Sequence, residues 1–115
     1  MPLIHVRTSA PLNDEIKDTC SKTLSRVCSD ELGKPEQYVM VVLEKAWVCM
    51  AGKAGPGAFV DVRSIGNLNS DKNQSLSAKI CAALQEEMGI PSDRIYLNFT
   101  DVPRSDWGWN RSTFG

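Results

Sequence analysis

The chain has 115 residues, enough for one domain with a real core and too few for two. Thirteen Lys and Arg balance 14 Asp and Glu with no basic stripe, so nucleic acid is not an expected partner. No apolar run approaches the roughly 20 residues that span a bilayer, and no charged-then-apolar leader opens the chain. The expected compartment is therefore the cytoplasm, with no membrane contact.

The second residue is proline. If Met1 is removed, Pro2 becomes a chain end with a secondary amine on a rigid ring. Such an amine takes a proton from carbon when its surroundings lower its pKa. Residues 2–8 read as a short strand. Asn13 then stands where a helix N-cap belongs, followed by Asp14 and Glu15, which favour the positive end of the helix dipole. Ile16, Cys20, Leu24, Val27, Cys28 and Leu32 form one apolar stripe at helical spacing. Gly33 stands at C′, and Pro35 stops any continuation. Lys34 lies between them, where a lysine also complements a helix C-terminus. Residues 38–44 read as the next strand.

The second half repeats the first. Val6-Arg7-Thr8 recurs as Val62-Arg63-Ser64, Leu32-Gly33 as Met88-Gly89, and Pro35 as Pro91. One offset holds without a gap, so residues 58–64, a helix capped by Asn69 and ended by Gly89, and residues 94–100 form a second β-α-β unit. Its helix carries Leu76, Ile80, Ala83, Leu84 and Met88 on one face. Units of this length imply parallel strands joined by right-handed crossovers. Two of them predict an α+β two-layer fold: a four-stranded mixed sheet with both helices on one face.

Strand alternation assigns Val39, Val41, Leu43, Ile95, Leu97 and Phe99 to the helix side. Leu3, Met40, Val42 and Phe59 fall on the open side, with Tyr96 and Asn98. A contiguous apolar patch there predicts a homo-oligomer built sheet against sheet. The last fourteen residues lie outside the repeat and hold Trp107, Trp109 and Phe114. These aromatics are expected to wall a pocket or dock on a neighbouring subunit. The four cysteines form no CxxC and no zinc-type cluster, and Cys20 and Cys28, ~12 Å apart along one helix, cannot pair. They read as buried or partly buried thiols, and His5 has no constellation around it.

The N-terminal Met-Pro, Gly33-Lys34-Pro35, Tyr38-Val39, Ser64-Ile65-Gly66, Asp93-Arg94-Ile95-Tyr96 with Asn98, Gly108-Trp109-Asn110 and Ser112-Thr113-Phe114 together resemble the macrophage migration inhibitory factor family of the tautomerase superfamily. The resemblance covers essentially the whole chain, 1–115. It implies a homotrimer with sites at the subunit boundaries and keto–enol tautomerisation of phenylpyruvate-like α-keto acids, with no metal or other cofactor. By position it implies that Pro2 is the catalytic base. It implies that Lys34 holds the substrate carboxylate, with Ser64 and the Ile65 backbone beside it. Tyr96 and Asn98 would come from the adjacent subunit, and Trp109 and Phe114 would form the aromatic rim. It equally implies a second reading, a cytokine-like ligand for a receptor, exported by a leaderless route, with a weak or vestigial site.

The residues alone leave other uses open. Ile65 suits an ordinary core, Tyr96 an interface aromatic, and Asn98 an exposed strand position. Three departures from the family pattern stand out. Gly57-Ala58-Phe59-Val60 replaces a CxxC, so no thiol–disulfide activity is expected. The aromatic that should follow Met50-Ala51 is missing. Trp107 occupies a position where a small aliphatic is the family habit.

Overall fold

A computed structural model describes residues 1–115. The order is β1 (Leu3–Thr8), α1 (Asp14–Leu32), β2 (Met40–Lys45), β3 (Cys49–Met50), β4 (Lys53–Ala54), β5 (Ala58–Ser64), α2 (Ser70–Met88), β6 (Ile95–Asp101), β7 (Gly108–Trp109) and β8 (Ser112–Thr113). The main sheet runs β2-β1-β5-β6. β1 pairs parallel with β2, β5 parallel with β6, and the two units join antiparallel through β1 and β5. The expected pair of β-α-β units is therefore present, and its two helices pack side by side on one face.

The helix ends are set by the signals in the sequence. The Asn13 side chain accepts from the Ile16 N–H at 2.8 Å and that of Asn69 from the Lys72 N–H at 2.9 Å. Each satisfies a donor the helix cannot, worth about 1 kcal/mol. Gly33 and Gly89 take φ of 62° and 69°, the left-handed turn that releases the chain toward the next strand. Short 3-10 turns, Glu36–Tyr38 and Ser92–Arg94, follow each helix, so β2 and β6 begin later than the patterning of 38–44 and 94–100 indicates. Pro35 and Pro91, fixed near φ −60°, open both turns.

Sixteen residues form one buried core between sheet and helices. Ile4, Val6, Val60 and Val62 supply it from the central strands; Leu24, Leu32, Leu76, Ile80 and Leu84 supply it from the helices. Val41, Leu43, Leu97 and Phe99 pack against it from the outer strands, as alternation requires. Cys20 and Cys28 are buried here, and burial pushes their thiols up to about 12 and about 11, with Glu87 adding to the effect at Cys20.

The open face differs from expectation in one respect. Met40, Val42, Leu3 and Phe59 are on it, with Met40 62% exposed, yet the patch is not purely apolar. His5 meets Glu44 at 2.5 Å, Arg7 meets Glu44 at 3.1 Å, and Arg7 also approaches Asp61 at 3.6 Å. His5, which sequence reading leaves without a role, thus belongs to a polar side-chain network across three strands. The hairpins β3-β4 and β7-β8 are two residues per strand, too short to leave a period in the sequence.

Candidate active site

Pro2 stands just before β1 and is fully buried. Its carbonyl accepts from the Met40 N–H at 3.0 Å, and the Met1 amine donates to the Tyr38 carbonyl at 2.9 Å. These two bonds carry the β1-β2 pairing up to the first residue and hold the chain end in place. Burial lowers the pKa of the terminal amine below its ordinary value; the Lys34 cation lowers it further, and Cys28 opposes both.

Lys34 is placed by the turn that ends α1. Its N–H donates to the Ser29 carbonyl at 3.2 Å, and its carbonyl accepts from the Ser29 hydroxyl at 2.6 Å. With the backbone so held, the ammonium reaches the Ile65 carbonyl at 2.9 Å. The 64–67 loop is itself anchored. Buried Ser64 donates its hydroxyl to the Gly66 carbonyl at 2.9 Å, and the Gly66 N–H reaches Asp101 at 2.9 Å. Asn67, at φ 64°, donates its side chain to the Leu32 carbonyl. The Gly33–Lys34 turn and the Ser64–Ile65 turn, distant in sequence, are thereby locked together beside the chain end.

A cavity of about 510 Å³ opens next to Pro2. Tyr38, Trp109 and Phe114 form its rim: Trp109 stacks on Phe114 at 5.7 Å, and Tyr38 meets Trp109 edge-on at 5.5 Å. The tail reaches this position because Asn110 and Arg111 adopt φ of 50° and 70°, the paired left-handed turn of a tight hairpin. The Phe114 N–H then bonds the Trp107 carbonyl at 3.2 Å. The tail aromatics therefore wall a pocket of their own chain, and Trp107 lines it too.

Pro2, Trp109 and Phe114 line this cavity, whereas Lys34, Ser64 and Ile65 lie beside the chain end, outside the lining. Tyr96 and Asn98 do not join them. They sit on the open face of β6, in register with Phe59 and Asp61, and Tyr96 is 65% exposed. The pocket end of the sheet is marked by Arg63, whose partner on β6 is Thr100. Four residues of strand, ~13 Å, separate Thr100 from Tyr96. Within one chain the two sets do not meet. Sequence reading leaves Arg63, Asp106, Met40 and Val102 out of the site, although all four line the cavity with Tyr38. Arg63 and Met40 were accessible by alternation, since both share the open face with Leu3 at the pocket end.

No helix is long and apolar enough to cross a membrane. A family model described as macrophage migration inhibitory factor matches residues 1–115. A macrophage migration inhibitory factor homolog of Trichuris trichiura is 36% identical over 115 residues, which is 99% of this chain and 100% of the relative. The crystal structure of a homologue from Prochlorococcus marinus superposes with a TM-score of 0.94 at 39% identity, covering 98% of this chain and 99% of that one. A macrophage migration inhibitory factor-like protein of Entamoeba histolytica gives 0.94 at 33% identity, covering 98% of both chains. With the double β-α-β fold and the match over the full length, the chain belongs to the macrophage migration inhibitory factor family, and its fold is that of the tautomerase superfamily.

Proposed function

We propose that this protein is a cofactor-independent keto–enol tautomerase acting on phenylpyruvate-like α-keto acids, with Pro2 as general base once Met1 is removed. The observation that carries this reading is the setting of the chain end: a partly buried Met1 amine, its pKa lowered by burial and by the Lys34 ammonium, next to the fully buried Pro2. A base that moves protons between carbon and oxygen works best with a pKa near the working pH. Terminal amines begin at about 7.7–8.0, and burial and one nearby cation both move such a group downward from there. After processing, Pro2 inherits the chain end and the same neighbours.

Lys34 has three N–H donors and uses one on Ile65, which leaves donors for a substrate carboxylate. The rim of Tyr38, Trp109 and Phe114 receives the aryl group. Pro2 takes the proton from C3, the C3–H pair forms the enol double bond, and the proton is delivered to the carbonyl oxygen. Tyr96 and Asn98 serve the site of the neighbouring subunit, where a hydroxyl and an amide steady the oxygen as it gains charge. Their exposure, with that of Met40 on the same open face, supports assembly as a homotrimer with shared sites.

The test is phenylpyruvate enolisation by processed protein, with Met1 loss verified by intact mass. Wild type turns over and Pro2→Gly does not. Equal rates end the proposal. Receptor binding that survives Pro2→Gly and Lys34→Ala, with negligible turnover in wild type, would favour the ligand reading instead.

A further inference from the structure

Arg63 is the one cationic side chain in the cavity wall, and it makes no ion pair and no side-chain hydrogen bond. It sits on β5 with Leu3, the residue after Pro2, as its β1 partner. Two residues further on, just past the end of β5, lies Ile65, whose carbonyl holds Lys34. Arg63 and Lys34 therefore flank the Pro2 end of β1, one from the open face and one from the turn at the end of α1.

The acids nearby do not neutralise Arg63. Asp61, two residues back on the same face of β5, is approached by Arg7. Asp106 lines the same cavity, and its carboxylate accepts from the Ser105 hydroxyl at 3.4 Å without an ion pair to Arg63. A guanidinium presents a planar fork of donors matched to a carboxylate, and this one is exposed beside a mostly apolar wall. An aryl group in the cavity leaves that fork unpaired.

We propose that Arg63 is a second carboxylate anchor and that the site takes 2-oxo dicarboxylic acids. The proposal rests on the Pro2 reading above and adds to the phenylpyruvate-like acids a second, preferred substrate class. The carboxylate next to the ketone lies on Lys34 and the distal carboxylate lies on Arg63, so the C3 hydrogens between them face Pro2. Pro2 removes one C3 proton. The C3–H electron pair becomes the C2=C3 bond, the carbonyl pair moves onto oxygen, and the proton passes from the Pro2 ammonium to that oxygen. The amine is restored and nothing else is consumed.

The experiment uses processed protein and two substrates, 2-oxobutanedioate and phenylpyruvate. The readout is the ratio of their kcat/KM values. Wild type favours the dicarboxylate. Arg63→Met lowers the ratio about 30-fold, the loss expected of one charge-assisted pair, and the loss falls in KM. Arg63→Lys keeps part of it. A ratio unchanged in Arg63→Met overturns the proposal, as does an equal fall for both substrates. Calorimetric binding of succinate against 3-phenylpropionate to Pro2→Gly protein separates the two readings. Arg63-dependent succinate binding supports the anchor whatever the fate of turnover, and its absence overturns it. Turnover that survives Pro2→Gly condemns the base while leaving the anchor standing.

Discussion

Replacing Lys34 by Ala is the sharpest probe of the proposed chemistry, because it acts on two measurable quantities at once. The ammonium donates to the Ile65 carbonyl at 2.9 Å and has donors to spare for a substrate carboxylate. Losing a charge-assisted hydrogen bond costs about 1.5–3 kcal/mol, so kcat/KM for phenylpyruvate should fall roughly 10–150-fold, chiefly through KM. The second effect concerns pH. The base must be neutral to act, so activity rises with pH through its pKa and then levels. Burial is the larger cause of the lowered chain-end pKa and the Lys34 cation the next. Removing that cation lets the pKa rise, and the acid limb of the kcat/KM profile moves to higher pH. Stability falls as well, because the bond from the Lys34 ammonium to the Ile65 carbonyl, which ties the two turns together, goes with the side chain. A lysine just past a helix end contributes about 0.3–1 kcal/mol through the dipole, and Gly33 still terminates α1. The assay is phenylpyruvate enolisation across pH on processed protein, with a thermal melt alongside. An unchanged kcat/KM, or an acid limb that moves down, refutes the reasoning.

Three further outcomes test the frame that holds the site. Leu24, on the core-facing side of α1, is fully buried, so Leu24→Ala should destabilise by about 2–5 kcal/mol, read by urea unfolding. Gly57 leads into β5, and an added Cβ would stand 2.7 Å from the Val48 side chain and 3.2 Å from the Arg94 carbonyl. Gly57→Ala should therefore cost about 1–3 kcal/mol by overpacking, while Gly57→Ala with Val48→Ala recovers part of the loss. Cys20 and Cys28, buried with thiols pushed up to about 12 and about 11, should resist alkylation until the protein unfolds. Rapid labelling of either in native protein, followed by peptide mass spectrometry, would contradict the core as described.

The fold is legible because each half states the same instructions twice. Asn13 and Asn69, Gly33 and Gly89, Pro35 and Pro91 fall at one offset, and each has a local job that its own chemistry performs. Such signals act within a few residues and need no knowledge of the rest. The hairpins escape this logic. β7-β8 turns on Asn110 and Arg111, both left-handed, and an arginine does not advertise such a backbone. Its position is set by Phe114 and Trp109 packing on Tyr38, a contact between segments far apart in the sequence.

The candidate site divides along the same line. Pro2, Lys34 and Ile65 are joined by backbone geometry that short motifs encode: a left-handed Gly33, then a lysine long enough to reach the 64–67 turn. Arg63 and Asp106 carry no motif. Arg63 is an ordinary exposed strand residue until the antiparallel register of β1 and β5 sets it opposite Leu3, and that register is a property of two strands rather than of either. Tyr96 and Asn98 lie one level further out. About 13 Å of strand for Tyr96 and about 7 Å for Asn98 separate them from Thr100, and neither lines the pocket of their own chain, so any part they play in catalysis needs a second copy. A monomeric variant tests this directly. If charges placed on the open face at Val42 and Phe59, neither of which lines the cavity, separate the subunits without unfolding them, the shared-site reading expects the isolated chain to keep its helical signal and lose its turnover. An active monomer would leave Tyr96 and Asn98 as surface residues and confine the chemistry to Pro2, Lys34 and the aromatic rim.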